Sequence, residues 1–174
     1  GPIPIPTLED LKNPLDEVIE PRATQEEMTN FIETELTESL KGLPTRTTQF
    51  GRFDKGLAYT ILMKYYMHEK NWAKAEECGR ELLKAEYGYG LMDRYADIFT
   101  LENEGNKEII FACTEERGTN LQLWHDHALP GNYPTKNASI QKWDGYKVPW
   151  PFYRTFEEGD DRLSVLVGEY VGTD

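Results

Sequence analysis

The first half of the chain contains three stretches in which apolar residues recur every three or four positions, the spacing of an amphipathic helix. The first stretch follows Thr24, and Thr24 and Glu27 have the spacing of a capping box, in which each side chain satisfies the other's backbone N–H. Gly42 and Pro44 are expected to end this helix. Its apolar stripe consists of Met28, Ile32, Leu36 and Leu40. Glutamates occupy much of the remaining surface, which is therefore expected to face solvent.

The second and third stretches predict two antiparallel helices over residues 52–69 and 72–86. Lys70 and Asn71 leave only a short connection between them, and Asn71 is a suitable N-cap for the third helix. The residues expected to face inward are Phe53, Leu57, Ala58, Ile61, Leu62, Tyr65 and Tyr66 in the second helix, and Trp72, Ala75, Gly79, Leu82 and Leu83 in the third. The pattern is typical of a tetratricopeptide-like helical hairpin.

The second half of the chain has no sustained period. A short helix is predicted over residues 93–99 and a helical turn over 152–158, while the compact apolar runs 108–113 and 162–171 predict two short strands. Residues 114–151 mix glycine, proline, asparagine and aromatic residues, which predicts a long ordered loop. The predicted fold class is therefore mainly α, with tetratricopeptide-like hairpins, a loop-rich region and a few short strands.

The predicted organisation is a single fragment of one larger domain. It consists of a proline-rich extended arm over residues 1–22, the helices over 24–100 and the loop-rich region over 108–174. The run of prolines at the start and the strand-like run at the end favour a piece of a longer protein. Cys78 and Cys113 fit no metal-ligand spacing, so two small buried residues are expected, with a disulfide as the alternative.

The charge of the chain excludes some classes of partner. Nineteen lysines and arginines stand against 31 aspartates and glutamates, giving a net charge of −12. Such a surface repels phosphate backbones and anionic lipid headgroups, so nucleic-acid binding and a polybasic membrane contact are not expected. No phosphate loop, nucleophile elbow or zinc motif occurs, and no enzymatic activity is expected.

Several motifs follow one another along the chain in a fixed order. The series begins with Gly51-Arg52-Phe53-Asp54-Lys55-Gly56-Leu57-Ala58, Lys64-Tyr65-Tyr66 and Asn71-Trp72-Ala73-Lys74-Ala75. It continues with Tyr89-Gly90-Leu91, residues 95–99, residues 103–111 and Asp160-Asp161-Arg162. This series resembles the SusD/RagB family of nutrient-binding lipoproteins. The resemblance covers the middle of such a protein and implies a SusD-like α fold.

The resemblance also implies a function. Members of this family are surface-exposed lipoproteins of the outer membrane that bind glycans, or in some cases peptides, and deliver them to a SusC-like TonB-dependent transporter. They use no cofactor, and their lipid anchor would lie outside this fragment. The expected partners are therefore an oligosaccharide and that transporter. A tetratricopeptide scaffold that binds a protein partner is the alternative.

The loop-rich region carries the residues suited to sugar binding. Three of the four tryptophans lie there. An aromatic plane covers the apolar face of a sugar ring at low entropic cost, and amide or carboxylate groups can pair with its hydroxyls. The candidate ligand-binding residues are Trp124, Asn132, Tyr133, Trp143, Asp144, Tyr146 and Trp150. Trp72 is expected to be a core residue instead.

Two other groups of residues suggest a metal site or a glycosidase site. His125 and His127 would share one face of an extended segment and could meet a metal ion, but the spacing implies no third ligand, and solvated loop histidines are the simpler interpretation. The pairs Glu115-Glu116 and Asp160-Asp161 suggest glycosidase carboxylates. Adjacent strand residues point to opposite faces, so neither pair alone could flank a glycosidic bond.

Overall fold

The computed structural model describes residues 1–12, 15, 20–115, 124–137 and 139–173, with only the backbone of His125. The chain divides into two compact units, Gly1–Tyr89 and Gly90–Asp174. The first contains helices α1 (Gln25–Gly42), α2 (Lys55–His68) and α3 (Trp72–Leu82). The second contains two short helices, α4 (Trp124–Ala128) and α5 (Trp150–Tyr153). Single 3-10 turns occupy Asp10–Lys12, Ala85–Tyr87, Tyr95–Phe99, Leu101–Asn103 and Asp161–Val165. The mainly α fold class is confirmed.

The start of α1 follows from local sequence, as predicted. The Glu27 N–H donates to Thr24 Oγ1 at 3.2 Å, and the Thr24 N–H donates to Glu27 Oε2 at 2.7 Å, completing the capping box. The hydrogen bonds from the Thr24 backbone and side chain stabilise the ionised form of the Glu27 side chain and so lower the pKa of Glu27. Asn71 caps α3 by a single side-chain bond, since its side chain accepts from the Lys74 N–H at 3.3 Å. Both predicted N-caps are therefore confirmed.

Helix α2 begins later than predicted because Asp54 is its N-cap. The buried Asp54 carboxylate accepts from the Leu57 N–H at 3.0 Å and from the Thr47 N–H at 3.2 Å. It therefore fixes both the helix start and the preceding loop. The predicted start at Arg52 is wrong because residues before the cap have no helical hydrogen bond to make.

The core of the first unit lies between α2 and α3. Its buried residues are Leu62, Tyr66, Ala75 and Cys78, with Leu36, Leu40, Tyr59, Met63 and Tyr65 packed against them. Helix α1 is tied to this pair by the Lys74–Glu33 ion pair at 3.0 Å and by the Tyr65 hydroxyl, which donates to Thr29 at 2.7 Å. The antiparallel hairpin is confirmed, and Cys78 is buried as predicted.

The predicted burial of several apolar residues is wrong. Trp72 and Leu83 are 62% and 84% exposed, and Phe53 and Ile61 are also exposed. Helix α3 stops at Leu82, and Leu83 becomes its C-cap, so the predicted continuation to Glu86 is a separate 3-10 turn. Helical period locates an apolar stripe, but burial requires a neighbouring element to cover it.

The turn after α3 is anchored to the start of α2. The Tyr89 ring stacks on Tyr87 at a centroid distance of 6.0 Å, and its hydroxyl lies against the backbone of Gly56. The Arg46 guanidinium lies 4.8 Å from the centre of the Tyr89 ring. It also donates to the Tyr87 and Gly88 carbonyl oxygens at 3.1 and 3.2 Å. Gly88 permits the reversal with a φ of 65°.

Neither predicted strand forms, and the described part of the chain contains no strand. Among the described residues, no strand lies beside the run 108–113 to complete a ladder. Its neighbours are turns: the Ile109 N–H donates to the Asn106 carbonyl at 3.1 Å, and the Glu108 carboxylate accepts from the Met92 N–H at 2.5 Å. Residues 161–165 form a 3-10 turn because Asp160 caps it by accepting from the Arg162 N–H at 2.9 Å. Cys113 is exposed, contrary to prediction. No helix among the described residues is long and apolar enough to cross a membrane.

Candidate functional site

Helix α4 and residues 143–146 are joined by backbone hydrogen bonds. The Trp143 N–H donates to the Asp126 carbonyl at 2.6 Å, and the Asp144 N–H donates to the Leu129 carbonyl at 3.0 Å. The His127 carbonyl accepts from both residue 145 and residue 146, at 2.7 and 2.8 Å. Carbonyl groups at the end of a helix lack intrahelical partners, so this segment satisfies them and is held in place by them.

Four aromatic side chains meet where these two segments join, and we call Trp124, His127, Trp143 and Tyr146 the aromatic platform. The Trp124 and Tyr146 rings lie 5.5 Å apart between centroids. The His127 ring lies 4.7 Å from Trp143, edge to face, and 5.2 Å from Tyr146. Trp124, Trp143 and Tyr146 are nevertheless 66%, 46% and 53% exposed. The platform is thus fixed by its own contacts and open to solvent.

The backbone between Trp143 and Tyr146 makes this arrangement possible. Asp144 has a φ of 56°, a left-handed conformation that aspartate tolerates better than most residues. Gly145 follows, and a Cβ atom there would lie 3.4 Å from the His127 carbonyl oxygen. The reversal at Asp144 and the close approach at Gly145 allow the rings of Trp143 and Tyr146 to meet the same histidine.

Polar groups border the platform. The Trp143 indole N–H donates to Gln141 Oε1 at 3.0 Å, and Lys147 forms an ion pair with Asp144. These groups are exposed, so each keeps hydrogen-bonding capacity toward a ligand. The site can therefore offer exposed, tilted aromatic rings with donors and acceptors beside them.

Asn132 and Tyr133, also predicted as ligand-binding residues, belong to a second group. The Tyr170 hydroxyl donates to Asn132 Oδ1 at 2.7 Å, and the Tyr133 and Tyr170 rings lie 5.0 Å apart. The Thr173 N–H donates to the Asn132 carbonyl at 2.9 Å. These contacts hold residues 170–173 against the loop, and they occupy the Asn132 side-chain oxygen.

Trp150 belongs to a third group. It begins α5, is exposed, and lies 5.5 Å from Tyr153 in an edge-to-face contact. Phe152 contacts Phe156 at 5.3 Å, and the Arg162 guanidinium lies 5.0 Å from the Phe156 ring centre. No ring contact among the described residues joins Trp150 to the aromatic platform.

Comparison with solved structures decides the fold. A crystal structure of a SusD-like protein from Bacteroides fragilis NCTC 9343, at 2.70 Å resolution, matches this chain with a TM-score of 0.60 and 23% identity. The match covers 76% of this chain and 26% of that protein. The fold is SusD-like. The chain spans about a quarter of the length of that relative. No protein-family model and no curated protein matches the chain.

The extended arrangement considered for a metal site at His125 and His127 is not found in the described part of the chain. Residues 124–128 are helical, so the extended geometry that would bring His125 and His127 to one face does not occur. Among the described residues, no cluster of three histidine, cysteine, aspartate or glutamate side chains is arranged to hold an ion. His127 is instead part of the aromatic platform.

Of the two predicted carboxylate pairs, only Asp160-Asp161 lies wholly within the described residues. Glu116 lies outside the described residues. The Arg162 guanidinium bonds to Asp160 and lowers the pKa of that carboxyl to about 2. A general acid needs a raised pKa, so Asp160 is unsuited to that role.

Sequence reasoning missed His127 as an aromatic partner. Trp124 and His127 are three residues apart, which places them on one helix face. The spacing does not predict this pairing from the sequence, because α4 has only five residues and no apolar period that would mark it as a helix. Once the segment is known to be helical, the spacing is informative.

Proposed function

We propose that this chain is part of a SusD-like surface protein that binds oligosaccharides, and that the aromatic platform is its sugar-binding surface. One observation carries the proposal: Trp124, Trp143 and Tyr146 are assembled by a folded turn and yet remain largely exposed. Exposed apolar side chains that lie together, with polar groups around them, commonly mark a binding surface. An exposed and preassembled aromatic surface favours a ligand-binding role.

The chemistry of the platform suits a sugar ring. The C–H face of a pyranose can lie on an indole or phenol plane, which buries apolar area with little loss of side-chain freedom. Gln141, Asp144 and Lys147 then stand at the edge, where hydroxyl groups of the sugar would need donors and acceptors. Asn132, Tyr133 and Trp150 are proposed as outlying contacts for a longer ligand.

The physiological setting is proposed from the SusD-like fold. The intact protein would be a lipoprotein exposed on the outer membrane, and it would pass its ligand to a SusC-like TonB-dependent transporter. This role requires binding and release, without bond cleavage or a cofactor. The net charge of −12 favours uncharged ligands over polyanionic ones.

A glycan panel titrated into the intact protein by isothermal calorimetry tests the proposal. We expect a member of the panel to bind, and Trp124→Ala and Trp143→Ala to weaken that binding by about tenfold or more, as a lost stacking contact would. Trp72→Ala is the matched control, because Trp72 is similarly exposed but lies in the other unit. It should leave the affinity unchanged.

Two outcomes would refute the proposal. In one, no oligosaccharide binds at millimolar concentration whereas peptides do. In the other, Trp72→Ala weakens sugar binding as much as Trp124→Ala.

A protein-interaction scaffold is the second candidate function, and the exposed apolar residues of the hairpin favour it. Trp72 and Leu83 lie on one flank of α3, beside the buried stripe of Ala75, Cys78 and Leu82. Protein partners commonly cover exposed tryptophan and leucine side chains. In that case Trp72→Ala and Leu83→Ala would abolish capture of a protein or peptide partner, and platform variants would not.

A further inference from the structure

The side chain of His127 stands at the centre of the aromatic platform, although it offers the least ring surface there. It contacts the Trp143 ring at 4.7 Å with an interplanar angle of 77°, and the Tyr146 ring at 5.2 Å with an angle of 42°. The structure shows no ring contact between Trp143 and Tyr146 themselves among the described residues. His127 is therefore the ring that links these two.

The backbone of His127 reinforces the same arrangement. Its carbonyl oxygen accepts from the Gly145 and Tyr146 N–H groups, at 2.7 and 2.8 Å. The backbone of Tyr146 is thus hydrogen-bonded to the backbone of His127, and the Tyr146 ring contacts the His127 ring. His127 is half-buried while Trp143 and Tyr146 are exposed, so the histidine lies below the surface that a ligand would touch.

We infer that His127 is a positioning residue that holds Trp143 and Tyr146 in their binding orientation before a ligand arrives. This inference rests on the proposed sugar-binding function. An exposed indole or phenol ring that is free to rotate loses conformational freedom when a sugar stacks on it, and that loss weakens binding. A supporting ring restricts this rotation before binding and so removes much of the entropic cost of stacking. The role requires a planar ring at residue 127 and does not require its nitrogen atoms to touch the sugar.

Three substitutions separate this role from a direct contact. His127→Ala removes the ring and should weaken glycan binding by about tenfold, a change equivalent to about 1.4 kcal/mol. His127→Phe keeps a planar ring and should retain an affinity within about threefold of the wild type. His68→Ala is the matched control, since His68 is exposed at the end of α2 in the other unit, and it should have no effect.

A second readout does not depend on any glycan. In a Trp72→Phe/Trp150→Phe background of this chain, Trp124 and Trp143 are the tryptophans that remain. With excitation selective for tryptophan over tyrosine, acrylamide quenching of the isolated chain reports on the platform. His127→Ala should increase quenching and shift the emission to longer wavelength, and His127→Phe should restore both. Far-UV circular dichroism of each variant checks that the helices are retained, and His127→Gln replaces His127→Ala if the latter does not fold.

The possible outcomes are distinct. If wild-type protein binds no sugar, the proposed function fails, and quenching still tests whether His127 orders the tryptophans. If His127→Phe binds as weakly as His127→Ala while its quenching is normal, the imidazole contacts the ligand directly and the positioning role is wrong. If His127→Ala changes neither affinity nor quenching, the inference is also wrong.

Discussion

Replacement of Gly56 by alanine should destabilise the protein, although the position is helical and alanine is the better helix former. A Cβ atom at residue 56 would lie 1.9 Å from the Tyr89 hydroxyl oxygen and 2.9 Å from Cζ of the same ring. Ordinary carbon contacts lie at about 3.5–4.0 Å, so the ring would have to retreat by more than an ångström. The conflict is between a new methyl group and a ring that is already packed.

Tyr89 has little room to move. It is stacked on Tyr87 with an interplanar angle of 18°, and the Arg46 guanidinium lies over it at 4.8 Å. Displacing the ring would forfeit an aromatic pair worth about 0.5–1.5 kcal/mol and a cation–π contact worth about 0.5–1 kcal/mol. Overpacking of a filled site costs about 1–3 kcal/mol. Against these losses, alanine gains at most about 1 kcal/mol of helix propensity.

The expected net destabilisation by Gly56→Ala is therefore about 2 kcal/mol. For a chain of this length, that corresponds to a fall of about 4–8 °C in the unfolding midpoint. Urea denaturation followed by far-UV circular dichroism measures the free-energy change directly. Gly79→Ala in α3 is the matched control, because its Cβ would meet only the Met63 sulfur, at an ordinary 3.5 Å. That variant should be neutral or more stable by up to about 1 kcal/mol.

A double-mutant cycle identifies the cause. In a Tyr89→Ala background the obstructing ring is absent, so Gly56→Ala should lose its penalty and become neutral or stabilising. Equal stabilisation by Gly56→Ala and Gly79→Ala in the wild-type background would refute the reasoning. A penalty that persists without the Tyr89 ring would place the strain elsewhere.

Three further predictions concern a cap, the thiols and an ion pair. Thr24→Ala should lower the free energy of unfolding by about 1 kcal/mol through loss of the capping box, and an unchanged urea midpoint would contradict this. Ellman's reagent should modify Cys113 in the native protein and reach Cys78 only on unfolding, because burial both shields the Cys78 thiol and raises its pKa; equal rates would contradict it. Arg162 lowers the pKa of Asp160 to about 2, so Asp160 stabilises the fold above its ordinary pKa of about 3.9, and this contribution disappears as pH falls toward 2. The stability difference between wild type and Asp160→Asn should therefore vanish across that interval, and a constant difference would exclude the ion pair as its source.

Local signals were predicted well because they depend on neighbouring residues alone. The caps at Thr24 and Asn71 and the short connection between α2 and α3 are properties of a few consecutive residues. The start of α2 was missed although Asp54 is itself a favoured cap residue, because Phe53 appeared to continue the apolar period. Trp72 and Leu83 were misplaced for a different reason. The sequence pattern of α3 contains no information on whether a neighbouring element covers the flank that carries Trp72 and Leu83.

The predicted strand over residues 108–113 failed because a strand is defined by its partner. A compact apolar run is compatible with a ladder, a turn or a buried extended segment, and only distant residues decide between them. The aromatic platform likewise depends on residues that are distant in sequence. Residue type alone predicts Trp124 and Trp143 as binding residues, but their grouping depends on hydrogen bonds across a long stretch of chain and on the left-handed turn at Asp144.

The hydrogen bonds made by the predicted binding residues affect how substitutions at these positions must be interpreted. Asn132→Ala would remove a possible sugar contact, and it would also remove the acceptor for the Tyr170 hydroxyl. Tyr170→Phe breaks the same hydrogen bond and leaves the Asn132 amide in place. A loss of glycan affinity shared by both variants therefore reports on the anchoring of residues 170–173, whereas a loss confined to Asn132→Ala reports on a ligand contact. Trp143 involves no comparable long-range hydrogen bond from its side chain, since its indole N–H pairs with nearby Gln141, so its substitution is the more direct test of stacking.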